Sequence, residues 1–423
     1  MKDSVAGEYA LGASPSGLSS IYSPLIYPRV PLAVPYWNGA TYREIFRAIL
    51  SGAVIDGTAT EKLRSLICKT IKINNALLCG SGSLALELAL RVCGVEPGDE
   101  VVLPAFCCSA IVPPILAVGA VPVLADVSAE LNLTVETVAA ALTRKTKAVV
   151  VPHLFGNPAD IGPIVELAKG KNIQVIDDAA QALGATIDGR PVGGFGDAGV
   201  LSFGREKVCF GLGGGALLCR SEDDWSRADG RGMAPPRFGA TLENFLSTLV
   251  WRRWRGWTAA LSRNRSCRAD PDAPPGAYRR ELMANLNAAV AASLLDTLGE
   301  NLAARRARVR VYQNLLGTEE RLALIPHRRG SACLTQVVRV LPTNRNRDPA
   351  SALVEALGAA GYEIQGSYVP IHLLGIFPGC VCDRLSYSER VWADLIELPC
   401  DPGVSLEDVG RIAAIVRRVV AAS

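Results

Sequence analysis

The chain has little that marks a specialised environment. Among 423 residues there are only three histidines and three methionines, aromatics make up 6%, and 44 basic side chains nearly balance 41 acidic ones. A net charge of +3 provides no general field for nucleic acid or an anionic membrane, so any basic function must be local. No run is long and apolar enough to span a bilayer. The segment from Met1 to Pro24 is rich in Ser, Gly and Ala but lacks the basic start and continuous apolar core of a secretory signal. The cytoplasm is therefore the expected location. Twelve cysteines are scattered through apparent strands and helices of a large chain, which argues against the disulfide framework of a small secreted domain. The close pairs, Cys107 with Cys108 and Cys380 with Cys382, lack CxxC spacing, and no metal site is expected. Most of the cysteines read as small buried hydrophobes. No internal repeat is evident.

What the chain does have is 49% hydrophobic residues against 20% charged, enough to bury a large core and to form two domains. From Asn75 onward, apolar strand-like runs alternate with helical patterns. Strands are expected at 76–79, 100–103, 121–126, 148–153, 174–177 and 198–202, with helices at 83–92, 109–118 and 161–169. Runs such as VVVPH and QVIDD look buried on both faces, so the βαβα rhythm predicts an α/β fold with a mostly parallel sheet covered by helices. Ligands of such sheets collect at the carboxyl ends of strands. After Arg220 come a segment over 233–277 rich in Arg, Trp and Pro, a helix-compatible stretch over 280–313, and a smaller α+β unit ending in a helix over 406–422. The expected division is a flexible N-terminal tail (1–28), a large domain (29–232), an insertion (233–277) and a small C-terminal domain (278–423).

Three stretches carry residues suited to chemistry. QVIDD ends in Asp177 and Asp178, and a carboxylate at a strand's carboxyl end can point into the ligand crevice. The plainer alternative is that both cap the turn into AAQALGA. Gln181, one turn on, either faces the same crevice or is an ordinary polar helix position. GVLSF runs into GREKVCFGLGGG, placing Lys207 in a loop just past a strand end. An amine held there among apolar neighbours suits covalent chemistry with a carbonyl, whereas an arbitrary lysine is a solvated surface residue. Ser202 can donate to a phosphate, and Gly211, Gly213, Gly214 and Gly215 let backbone approach a ligand closely. The run from Cys79 through Gly80, Ser81, Gly82 and Ser83 into Leu84 reads as strand, glycine turn and helix. Such a turn presents free N–H groups and a positive helix end to an anion, with the Ser83 hydroxyl as a further donor. It matches neither GxxxxGK[ST] nor GxGxxG, so nucleoside triphosphate and dinucleotide readings lose support. Together these candidates meet the demands of pyridoxal 5′-phosphate (PLP), which needs a lysine, an acid facing the pyridine nitrogen, phosphate donors and something packed on the ring.

The runs GSGSLALELAL, PGDEVVLPAF, HLFGNPADI, VIDDAAQALGA and GGFGDAGVLSFGREK resemble the DegT/StrS nucleotide-sugar aminotransferase family of fold-type I PLP-dependent transferases. The likeness covers 30–220 and resumes from Glu281 to the end; the Asp–Ala–Ala–Gln and Ser–Phe–x–x–x–Lys motifs are specific together, not singly. The resemblance implies that the large domain binds PLP and that Lys207 holds it as the internal aldimine. It places Asp178 at the pyridine nitrogen, Gln181 at the ring hydroxyl, and Gly82, Ser83 and Ser202 at the phosphate. It implies ping-pong transfer of an amino group, from L-glutamate, to a keto group on a nucleotide-linked sugar, in a homodimer whose active sites are shared across the interface. YVPIH resembles the family's Tyr–x–Pro–x–His segment, which puts Tyr368 and His372 near the substrate. His153 reads instead as a hydrogen-bonded structural histidine.

The chain departs from the family pattern in three places. Cys108 stands where members place an aromatic ring on the cofactor, with Phe106 as a nearby substitute. Arg280 stands at the partner subunit's phosphate-binding asparagine, and arginine is also a good phosphate ligand. The segment 233–277 is longer than in compact members. Within it Leu242, Phe245, Leu246, Leu249, Trp254, Trp257 and Leu261 share a broad helical face, with Arg252, Arg255 and Arg263 mostly off it. That pattern suits a membrane surface or a lipid-linked keto substrate. Packing of 240–262 on its own protein or a dimer mate is the simpler reading. Two rivals stand beside the aminotransferase: a sugar dehydratase of the same fold, which has histidine where this chain has Lys207, and a non-catalytic PLP-fold protein that binds or senses a ligand.

Overall fold

The computed structural model describes residues 29–30, 36–220, 232–246, 248, 278–342, 349–377, 379–382 and 385–422. Two helices, α1 (Gly39–Leu50) and α2 (Ala59–Ile71), lead into the alternating core: β1 (Asn75–Cys79), α3 (Gly82–Val92), β2 (Glu100–Pro104), α4 (Val112–Ala117) and β3 (Val121–Ala125). The alternation continues with α5 (Val135–Ala141), β4 (Thr146–Pro152), α6 (Ile161–Lys169) and β5 (Gln174–Asp178). A hairpin of β6 (Thr186–Ile187) and β7 (Arg190–Pro191) precedes β8 (Ala198–Ser202) and β9 (Gly215–Cys219).

These strands form an eight-stranded sheet in the order β1-β9-β8-β5-β4-β2-β3-β13, where β13 (Val381–Cys382) arrives from the C-terminal part. Only β9 runs against its neighbours β1 and β8; every other pairing is parallel. Side chains alternate between the faces, as strand geometry requires. Leu77 and Cys79 enter the core on one side, with α3 and α4, while Ala76 and Leu78 enter the other, with α1 and α2. Ala148 to Val151 are wholly buried, which is why this run is continuously apolar rather than alternating.

The C-terminal part contributes α7 (Asn285–Asp296), α8 (Leu298–Leu316), β10 (Leu322–Leu324), β11 (Thr335–Val340), α9 (Pro349–Ala359) and β12 (Gln365–Gly366). After β13 come α10 (Ser386–Val391), β14 (Leu395–Pro399) and α11 (Leu406–Ala422). Its own antiparallel sheet, β10-β11-β14-β12, carries a separate core with α8, α9 and α11. Elements on either side of residue 278 nonetheless share packing: α7 lies in the core with α1 and α2, and β13 pairs with β3. The helix expected over 280–313 is two helices, broken at Thr297 (φ −112°). There the threonine hydroxyl bonds back to the Ser293 and Leu294 carbonyls, a side-chain competition that bends helices.

Of the amphipathic face, Phe245 is buried and Leu242 packs beside it in the core shared by α1, α2 and α7, while Leu246 is exposed. Leu249, Trp254, Trp257 and Leu261 lie outside the described residues, as does the tail over 1–28. Among the described residues no helix is long and apolar enough to cross a membrane.

Candidate active site

Because β1, β8, β5 and β4 point the same way, their carboxyl ends meet at one edge of the sheet. There Gly82, Ser83, Asp178, Gln181, Ser202 and Lys207 line a single cavity of about 260 Å³.

One wall is the start of α3. Ser81 caps the helix, its hydroxyl accepting from the Leu84 N–H at 3.1 Å, which satisfies one end donor and leaves earlier N–H groups for a ligand. The Gly80 N–H donates to the Glu281 carbonyl at 2.7 Å. A Cβ on Gly82 would lie 2.9 Å from the Ser202 Cβ and 3.0 Å from its Oγ. Glycine thus lets the helix start press against the end of β8. Serines 83 and 202 flank that start, and an anion such as phosphate fits there by both charge and donors.

The adjacent aspartates separate in role. Asp177 is fully buried and accepts three bonds, from the Gly193 N–H and Phe195 N–H at 2.8 Å each and from His153 Nε2 at 2.7 Å. The Ala159 N–H donates to His153 Nδ1 at 2.9 Å, so the imidazole proton sits on Nε2, the donor to Asp177. Asp178 faces the cavity and accepts from the Ala180 N–H at 3.0 Å. Burial pushes its carboxyl above the usual carboxylate range, although the Ala180 bond and the nearby Lys207 charge pull the other way.

Gln181 is fixed at both ends of its amide: Oε1 accepts from the Phe155 N–H at 2.8 Å and Nε2 donates to the Tyr368 hydroxyl at 2.9 Å. Phe155 adopts the left-handed conformation (φ 58°), and its ring stacks on Tyr368 at 5.6 Å. This turn is clamped from outside. The Leu334 N–H donates to the Phe155 carbonyl and the Ala332 N–H to the Gly156 carbonyl, while Asn157 bonds Pro326 and Arg328.

Lys207 sits half-buried in the 203–214 loop. The Phe203 carbonyl accepts from the Gly211 and Gly213 N–H groups, at 2.9 and 3.1 Å. Side chains hold three other loop carbonyls: Asn301 bonds Val208 at 3.0 Å, Trp37 Nε1 bonds Phe210 at 3.1 Å, and Asn287 and Asn244 both bond Leu212. These anchors come from distant stretches, and no local pattern in the sequence points to them.

Tyr368 lies one layer out, against Gln181. His372 lies outside the cavity and pairs with Glu389 at 2.9 Å. Arg280 also lies outside; it forms an ion pair with the buried Glu87 on α3, which Arg91 Nε and the Tyr278 hydroxyl join at 2.9 and 2.8 Å. Cys108 does line the cavity. The suggested stacking substitute, Phe106, does not: it is wholly buried, edge-on to Tyr368 at 5.9 Å, because its side chain enters the core. No Phe, Tyr or Trp ring is among the described lining residues.

Residues 38–417 match the model of the DegT/DnrJ/EryC1/StrS aminotransferase family. The GDP-perosamine synthase of Caulobacter vibrioides is 29% identical over 359 residues, 82% of this chain and 86% of that enzyme. The UDP-N-acetyl-3-dehydro-alpha-D-glucosamine 3-aminotransferase of Acidithiobacillus ferrooxidans is 42% identical over 150 residues, 35% of this chain and 41% of that enzyme. Among solved structures, the aminotransferase TlmJ from Streptoalloteichus hindustanus superposes with a TM-score of 0.75 at 26% identity, covering 94% of this chain and 99% of that one.

Proposed function

Since the chain belongs to the DegT/DnrJ/EryC1/StrS aminotransferase family, whose members are PLP-dependent enzymes, we propose that its cavity holds PLP and moves an amino group from L-glutamate to a keto group of a nucleotide-linked sugar. The observation that carries this reading is the meeting of Lys207, Asp178 and the α3 start in one cavity. The residues fit the group. Gly82 leaves the helix start open where a Cβ would meet Ser202, a cradle suited to a phosphate. Asp178, pushed up by burial, gains from a positive ring nitrogen opposite it. Gln181, its amide already oriented, has a second N–H for the ring hydroxyl. The nucleotide-linked acceptor follows the names of the two relatives.

When bound, PLP supplies an aldehyde that carries nitrogen and a ring that accepts electrons. Lys207 Nζ would hold the cofactor and, when free, would move the proton at the donor's reacting carbon as base and then acid. Asp178 would keep the ring nitrogen protonated. Gly82, Ser83 and Ser202 fix the phosphate so that the reacting atoms stay in place. The same reading takes the chain as one half of a homodimer in which Arg280, paired with Glu87 in its own subunit, would contribute to the partner's phosphate site. The function is tested by incubating the loaded chain with L-glutamate and a panel of nucleotide-linked keto sugars. Formation of 2-oxoglutarate matched by amino sugar supports it; no keto acid from any amino donor would refute it.

A further inference from the structure

The two ends of the Gln181 amide have nearly the same shape, so its orientation has to be imposed by its partners. The Tyr368 hydroxyl cannot impose it, because a hydroxyl both donates and accepts. The Phe155 N–H can: it only donates, so Oε1 turns to it at 2.8 Å and Nε2 is left for Tyr368 and the cavity. That N–H opens a turn of two successive left-handed residues, Phe155 at φ 58° and Gly156 at φ 76°. Such a conformation costs an aromatic residue free energy and persists only where its surroundings hold it. The loop between β10 and β11 does so. Besides the N–H groups of Ala332 and Leu334, it supplies a side chain: the Ser331 hydroxyl, 2% exposed, donates to the Gly156 carbonyl at 2.8 Å. With its hydrogen committed there, both of its lone pairs accept, from the Cys333 N–H at 3.0 Å and from His327 Nδ1 at 2.9 Å. The hydroxyl is thereby saturated and fixed in direction.

We propose that Ser331, seated by His327, is a positioning residue for the cofactor site: by holding the Phe155–Gly156 turn it keeps the Phe155 N–H on Gln181 Oε1, and so keeps the N–H end of the amide towards the ring hydroxyl of PLP. The inference rests on the reading of the cavity as a PLP site with Gln181 at that hydroxyl. Every link from His327 to Gln181 is a hydrogen bond or a shared peptide unit. With the turn relaxed, the amide can reverse and set its oxygen, which only accepts, against the ring oxygen.

The test is a double-mutant cycle on PLP affinity, read by equilibrium dialysis of the full chain. Ser331→Ala removes the hydroxyl while the Ala332 N–H still serves the Gly156 carbonyl, so the variant is expected to fold. It is expected to weaken PLP binding about fivefold, the net contribution of a single hydrogen bond, and to weaken it no further in the Gln181→Ala background. His327→Phe leaves the hydroxyl but removes the donor that seats it. It is expected to act in the same direction by a smaller factor, again only while Gln181 is present, and it carries the test should Ser331→Ala fail to fold. A merely structural serine would weaken binding equally in both backgrounds. That result, or unchanged affinity in Ser331→Ala and His327→Phe, overturns the inference and leaves the reading of the cavity intact. Unchanged affinity in Gln181→Ala overturns the place of Gln181 together with the inference. A wild-type chain that shows no Lys207-dependent visible band with PLP overturns the reading of the cavity as well.

Discussion

The two neighbouring aspartates divide structure from chemistry, and single substitutions separate the roles. Asp177→Ala strands two backbone N–H groups and His153 in the interior; it is expected to cost about 3 kcal/mol or more, read by urea unfolding. Asp178→Asn removes a carboxyl that burial already disfavours. It is expected to leave unfolding unchanged or slightly improved at neutral pH while abolishing transamination. Equal destabilisation by both changes would contradict the division. At the anion cradle, Gly82→Ala forces a Cβ to within 2.9 Å of Ser202, and such overpacking costs about 1–3 kcal/mol. Equilibrium dialysis is expected to show weakened PLP binding in a chain that still folds.

At the scale of elements, the HLFGN turn is the joint on which Gln181 depends. A Cβ on Gly156 would meet the Leu334 backbone nitrogen at 2.7 Å, at φ 76°. Gly156→Ala is expected to loosen the 326–334 loop, visible as faster hydrogen exchange at Ala332 and Leu334, and to weaken cofactor binding through Gln181. Unchanged exchange would show the turn to be independent of that loop. The βαβα core was legible in the sequence because each strand end carries its own signal: an apolar run, then a polar or glycine turn. Asp178, Lys207 and the Gly82–Ser83 turn were legible for the same reason. The break at Thr297 was not, since α7 is apolar nearly all round and α8 continues helix-compatible residues without a proline. Trp37, Asn287, Asn301 and Ser331 were invisible because their partners lie far away in sequence. Phe106 was misplaced because adjacency to Cys108 does not determine which way a side chain points.

For the whole molecule, the partly buried His327 and the buried Glu397 make opposite contributions to stability as pH changes. Burial lowers His327 from its ordinary 6.5 to about 4, so the unfolded chain binds the extra proton first. Stability is full above 6.5 and falls as pH drops towards 4. Glu397 is raised from 4.5 to about 8; its stabilising share is full below 4.5 and is lost as pH rises towards 8. Thermal melts of the cofactor-free chain are expected to show His327→Gln flattening the acid limb and Glu397→Gln the alkaline limb. An alkaline limb unchanged by Glu397→Gln would mean that this carboxyl ionises normally. The central claim, that one cavity brings Lys207, Asp178 and the α3 start together as an aminotransferase site, is tested most directly by the visible spectrum of the PLP-loaded chain before and after L-glutamate, beside Lys207→Ala. The account predicts a band that glutamate bleaches and the variant lacks; a band that survives in Lys207→Ala, or none in the wild type, would contradict it.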